Sequence, residues 1–169
     1  MPKIEVLLRN GGSLLPVPEA EQFKRPILSP YCVRDYFDVN PKYGTKEDFK
    51  HLVRAVHGHG MYLLLDFVPN HTSWDSVAAR EHPDWYRHDA KGLVHWAGQS
   101  WHDAAQLDYG NRQLWRYVRD AYLYWIREFD VDVFRSDVAG MVPQEFWLWL
   151  RPQLIAAKPI FMLAESDLP

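Results

Sequence analysis

Val131-Asp132-Val133-Phe134-Arg135-Ser136-Asp137 is a short β-branched and aromatic run that closes on an arginine and an aspartate. Two other stretches share its design. Met61-Tyr62-Leu63-Leu64-Leu65-Asp66-Phe67-Val68 runs on into Pro69-Asn70-His71, and Ile160-Phe161-Met162-Leu163-Ala164 runs on into Glu165-Ser166-Asp167. The first of these is apolar at both alternating positions, as a strand buried on both faces of a parallel sheet should be. Charge at the ends of three successive apolar strands is hard to explain by packing, because an unpaired buried charge is costly.

Helical patterns separate these strands. Thr45-Lys46-Glu47-Asp48 opens one, with a hydroxyl cap and an acid three residues on. Phe49, Leu52, Val53 and Val56 follow as its stripe, and Gly60 fits its end. Asn111 caps a second, whose stripe is Leu114, Val118, Ala121, Tyr122, Trp125, Ile126 and Phe129. Pro143 suits the first turn of a third, running through Phe146, Trp147 and Leu150 toward Ile155, with Pro152 expected to kink or shorten it. The order helix, strand, loop, helix, strand, helix, strand predicts an α/β fold with right-handed crossovers and a parallel sheet. Residues 72–108 show neither period and carry Trp74, Trp85, Trp96 and Trp101; so long a loop reads as an inserted subdomain or lid. Residues 1–28 hold a possible strand at Ile4–Leu8 and then turn chemistry, and no function is assigned to them.

Composition narrows the function classes. The 169 residues amount to about one domain, with 19 Lys and Arg against 22 Asp and Glu and a net charge of −3. That balance offers no electrostatic case for a nucleic acid or an anionic membrane. No apolar run approaches the roughly 20 residues of a membrane span, and no signal-peptide core follows Met1; the compartment is left unassigned. A single cysteine, Cys32, excludes an internal disulfide and a cysteine-rich zinc site; with no base beside it, it reads as a small filler. His57 and His59 are too close in sequence to share a helix face, and His82, His88, His95 and His102 fit no close-set ligand pattern, so no metal is expected. Aromatics at 15% call for large buried rings or an aromatic binding surface, and the four Trp of the loop fit either use.

The strand ends supply candidate chemistry. In parallel α/β folds the C-terminal strand ends line the active face. Asp137 and Glu165 are 28 positions apart, one βα repeat, which predicts equal heights on neighbouring strands about 4.8 Å apart. Carboxyls roughly 5–5.5 Å apart suit a retaining glycosidase, and the spacing permits that chemistry. Arg135, two before Asp137, points to the same face and is expected to keep Asp137 ionised; burial and a neighbouring carboxylate are expected to raise Glu165.

Four stretches taken together resemble the α-amylase family, glycoside hydrolase family 13. They are Ser29-Pro30-Tyr31-Cys32-Val33-Arg34-Asp35-Tyr36 running on to Tyr43-Gly44-Thr45, Asp66 to His71, Val131 to Asp137, and Met162 to Glu165. The resemblance covers about residues 29–169 and implies a partial (β/α)₈ barrel, about the second to fifth βα units, with 72–108 as a subdomain-B-like insertion. It implies a retaining hydrolase of α-glucans or maltooligosaccharides, with Asp137 as nucleophile and Glu165 as acid/base. Arg135 takes the place of the nucleophile's partner, His71 of a histidine that hydrogen-bonds the sugar, and Tyr31 of a stacking tyrosine. Asp66 and Asn70 take positions that organise the loop after the third strand. A transglycosylase or isomerase of the same family, or a non-catalytic relative, are the alternatives.

The departures from the family pattern carry expectations too. Val133 stands where glycine is usual and is expected to face the outer layer. Val138-Ala139-Gly140-Met141 replaces a Lys-His pair found in calcium-binding members, and Asn70 alone falls short of the 6–8 oxygens calcium takes, so no calcium is expected. No cofactor is expected. The family's His-Asp motif after the seventh strand has no counterpart, and a whole barrel takes about 250 residues. The sequence therefore reads as a fragment, expected to be inactive alone on starch-like glucans and to leave its inner sheet face open.

Overall fold

The computed structural model describes residues 8–9, 29–90, 92–93, 101 and 103–166. Most of the 1–28 segment, Trp96, His95, His102 and Asp167 fall outside that description. Of the possible strand at Ile4–Leu8 only Leu8 is described; β1 is Leu8–Arg9 and pairs antiparallel with β2, Asp35–Val39.

The central sheet has three parallel strands in the order β3 (Leu64–Phe67), β8 (Val133–Ser136), β9 (Phe161–Ala164). Leu64 aligns with Val133, and Ser136 with Ala164, so the three polar strand ends meet at one rim. Helix α1 (Lys46–Gly58) leads into β3, and α3 (Arg112–Phe129) and α4 (Gln144–Ala157) lie on the crossovers to β8 and β9.

Local chemistry accounts for their ends. The Thr45 side chain accepts from the Asp48 N–H at 3.2 Å, and the Asp48 carboxylate accepts from the Thr45 N–H at 2.7 Å. Gly60, at φ 69, takes the left-handed turn after α1. Asn111 accepts from the Gln113 N–H to open α3. All seven residues expected along the α3 stripe are buried.

That stripe meets one face of the sheet. Leu65, Phe67 and Phe134 are buried there, with the Phe67 and Tyr122 rings stacked 3.9 Å apart. Trp125 reaches across to β2, where its indole N–H donates to the Tyr36 carbonyl at 2.7 Å. The Tyr36 hydroxyl in turn donates to the Val68 carbonyl at 2.6 Å and sits 3.2 Å from that of His71, which ties the loop after β3 to the helical layer. At the opposite rim, Asp132 is a hub: it accepts from the Leu63 N–H and Lys158 and pairs with His57. Those hydrogen bonds outweigh its burial and hold its carboxyl low.

The sheet face away from α3 and α4 is open, as expected: Leu64, Phe161 and Leu163 are 38%, 62% and 46% exposed. Two other expectations are corrected here. Val133 alternates with Phe134, so it shares the open face with Arg135 rather than facing the helices. Pro152 does not shorten α4, which continues to Ala157; Phe146, Leu150 and Leu154 hold the helix to the core on both sides of the proline.

The insertion has its own architecture. β4 (His71–Ser73) pairs antiparallel with β7 (Ala104–Gln106), and between them lie α2 (Val77–Glu81), a short turn at Pro83–Trp85 and the β5–β6 pair (His88–Asp89, Gly92–Leu93). Trp74 and Trp85 are buried in its core, while Trp101 is half-buried and faces the strand-end rim.

Candidate active site

The strand ends and the insertion enclose a cleft of about 530 Å³. Asp66 and Arg135 are neighbours in register on β3 and β8, and Asp137 and Glu165 follow the paired residues Ser136 and Ala164. The equal height expected of Asp137 and Glu165 is therefore met: the Glu165 N–H donates to the Ser136 carbonyl at 3.0 Å.

Arg135 binds three carboxylates at once. Its Nη1 donates to Asp66 at 2.8 and 3.0 Å and to Asp137 at 2.9 Å, and its Nη2 lies 2.5 Å from Glu165 Oε1. One guanidinium among three acids leaves the cluster short of positive charge. That shortfall raises the pair's hold on a proton, since each of the Asp137 and Glu165 carboxyls bears on the other. Arg135 bridges the two, its Nη1 on Asp137 and its Nη2 on Glu165.

The proton's position reverses expectation. Burial, then the adjacent Glu165, pushes Asp137 up to about 7 despite Arg135. Glu165 goes down, because the Val138 N–H donates to its Oε2 at 3.0 Å and Arg135 and Asp137 support its charge. Arg135 was expected to keep Asp137 ionised; divided among three partners, it does not. Glu165 was expected to be buried and raised; its side chain is 47% exposed and held by a backbone donor. Asp66, placed by resemblance as an organiser of its loop, is tied across to Arg135, and burial raises it.

The substrate-side residues also meet here. Tyr31 lies at the mouth, its ring centroid 5.8 Å from the Arg135 guanidinium. His71 is buried along the cleft wall, Nε2 3.1 Å from the Tyr31 carbonyl and Nδ1 3.2 Å from the Asn70 amide. One neutral tautomer satisfies both contacts, with Nε2 donating and Nδ1 accepting, and burial lowers His71 to about 4. Its ring nitrogens are thus engaged by protein in this structure.

Among the cleft residues, Trp101, its ring 5.7 Å from that of His71, was offered by the sequence only as one of four loop tryptophans with two possible uses, while Asp103, whose carbonyl accepts from the Cys32 thiol, and Met141 were not placed at the site. Trp101 and Asp103 lie in the insertion, which has no period to aim them, and Met141 lies in a turn. Cys32 is buried and its thiol is pushed up by that burial, as suits a filler. Among the described residues no group of three or more His, Cys, Asp or Glu is arranged to hold a metal ion.

Residues 14–149 match the family model for the alpha-amylase catalytic domain. The chain is 32% identical to an intracellular maltogenic amylase of Bacillus subtilis, over 96% of this chain and 29% of that protein. It is 31% identical to a cyclomaltodextrinase of Geobacillus thermopakistaniensis, over 85% of this chain and 27% of that protein. Among solved structures, an alpha-amylase from Lactobacillus plantarum superposes with a TM-score of 0.79 at 50% identity, covering 85% of this chain and 34% of that one. A maltogenic alpha-amylase from Thermotoga neapolitana gives 0.81 at 35% identity, covering 95% of this chain and 36% of that one. The chain thus spans under a third of the length of these curated relatives.

Proposed function

The chain belongs to the α-amylase family, and from that membership we propose that its cleft performs the bond-breaking half of a retaining glycoside hydrolase on α-glucans or maltooligosaccharides. The observation that carries this reading is the placement of Asp137 and Glu165 at one height, just past the ends of adjacent parallel strands, with Arg135 bound to both.

Asp137 attacks the anomeric carbon while Glu165 delivers a proton to the departing glycosidic oxygen. The C–O bond to the leaving sugar breaks as the Asp137–carbon bond forms. Water then attacks that carbon and returns a proton to Glu165, freeing Asp137. Together these roles need one proton on the pair, and the raised Asp137 keeps one available near neutral pH. As the sugar seats, that proton moves to Glu165 and leaves Asp137 charged for attack. Tyr31 at the mouth gives the sugar a flat face, and His71, through Tyr31's carbonyl, fixes where that face stands.

The test uses a chimera in which residues 29–169 replace the matching segment of the Thermotoga neapolitana enzyme. Proton NMR of maltooligosaccharide cleavage should show the α-anomer first. Asp137→Ala should lose turnover of every substrate, whereas Glu165→Gln should keep the first step on activated aryl glycosides, whose leaving group needs no proton. Wild-type rates from Asp137→Ala would refute the assignment.

A further inference from the structure

Val138 has a left-handed backbone, φ 50 and ψ 34. That conformation is sterically costly for a β-branched residue. The other non-glycine residue with positive φ among the described residues is Asp130, which closes α3, where such a conformation is common. Val138 closes no helix, so its strain needs another reason.

Its N–H supplies one, donating to Glu165 Oε2 at 3.0 Å. Two residues on, the Gly140 N–H donates to the Glu165 carbonyl at 3.3 Å. A Cβ on Gly140 would stand 2.5 Å from Ser166 Oγ and 3.2 Å from Ser166 Cβ. The turn is closed by the Met141 N–H on the Val138 carbonyl, and Trp147 on α4 donates its indole N–H to the Ala139 carbonyl at 3.1 Å. The segment just after Asp137 is thus anchored to α4 on one side. On the other it grips Glu165 by carboxylate and backbone, with Ser166 packed against Gly140.

We propose that the turn Asp137–Met141 is the positioning device for Glu165, with Val138 aiming an N–H at its carboxylate and Gly140 admitting Ser166. This rests on reading Asp137 and Glu165 as the catalytic pair. One stiff turn then carries one carboxylate and locates the other. Their relative position is set within seven hydrogen-bonded or packed residues instead of by the whole sheet. The same N–H favours the charged form of Glu165, so the turn also governs which member of the pair keeps the proton.

Carboxyl-carbon and amide NMR titration of the 169-residue chain tests this, with Glu165 assigned by its disappearance in Glu165→Gln. In the wild type the Val138 amide should titrate in step with Glu165, whose midpoint lies below the ordinary glutamate range. Gly140→Ala forces Ser166, and with it Glu165, away from the turn: the Val138 amide should stop following and the Glu165 midpoint should rise. Gly140→Ala with Ser166→Gly should restore both, because of the three atoms nearest the new Cβ only the Ser166 backbone Cα remains, at an ordinary 3.6 Å. A substitution that only weakened the fold would leave the folded chain's Glu165 midpoint in place. A wild-type Val138 amide indifferent to Glu165, or a folded Gly140→Ala chain with an unmoved midpoint, would overturn the proposal. Should Gly140→Ala not fold, the wild-type amide decides alone. The readout needs no turnover, so failure of the hydrolase reading would show in the chimera while this contact stood.

Discussion

Arg135, divided among Asp66, Asp137 and Glu165, sets how single residues of this chain respond to pH. Asp137 binds its proton more tightly in the folded chain than the ordinary aspartate value of 3.8 allows. Its contribution to stability is full below that value and is lost as pH rises through about 7. His71 acts in the opposite sense. Buried neutral, it contributes fully above its ordinary 6.5 and loses that contribution as pH falls through about 4. The two effects oppose each other across the same window. Asp137→Asn should therefore lose stability more steeply than the wild type as pH drops from 6.5 toward 4. His71→Gln should lose it as pH rises from 4 toward 7. Urea unfolding at several pH values and fixed protein concentration reads both, and parallel profiles for all three chains would contradict them. In the chimera, activity should fall as pH rises through about 7, where the pair gives up its shared proton. The identities and heights of Asp137, Glu165 and Arg135 were legible in the sequence because strand register follows from one βα repeat. Their charge states were not, because these depend on a guanidinium shared three ways and on a backbone N–H whose direction comes from the conformation of Val138.

The elements were legible where a cap or a long stripe marked them. Thr45 with Asp48 and Asn111 with Gln113 start α1 and α3 where the residues predict, and the α3 stripe is buried throughout. Strand bounds came out shorter: β8 is Val133–Ser136 within the Val131–Asp137 run, since Val131 and Asp132 are spent on the entry from α3 and on the hub with Lys158 and His57. The insertion was legible as a unit but not in its pairing, because strands as short as β4 and β7 show no period, and β4 is held by Tyr36 from β2 and by Tyr86 within the insertion. Tyr36 in particular depends on α3 through Trp125, which is fully buried between Phe49 and Phe129. Trp125→Ala should cost about 3–5 kcal/mol, as large aromatic deletions in cores do. It should also loosen the loop that ends in His71, which chemical unfolding and hydrogen exchange at residues 68–73 would register together. Normal protection there at reduced overall stability would show that the loop is held independently.

At the scale of the molecule, the helical side is complete and the inner side of the sheet is not. Leu64, Phe161 and Leu163 present an apolar surface to water, and β3 and β9 each have an edge with no partner among the described residues. Such a surface favours association. The 169-residue chain should sediment as a concentration-dependent oligomer and release no reducing sugar from soluble starch, and Phe161→Lys with Leu163→Lys should shift it toward monomer. A wild-type chain that stays monomeric at every concentration would contradict that account of the face. The family's architecture was legible from four motifs in register, and the coverage of under a third of each curated relative agrees with a partial barrel. The central claim is that Asp137 forms the covalent bond to the sugar, and peptide mass spectrometry of the chimera after treatment with a 5-fluoro-α-glucosyl fluoride tests it most directly. The account predicts one glycosylated peptide with the sugar ester on Asp137, absent in Asp137→Ala; a label on Glu165, or one that persists in Asp137→Ala, would contradict it.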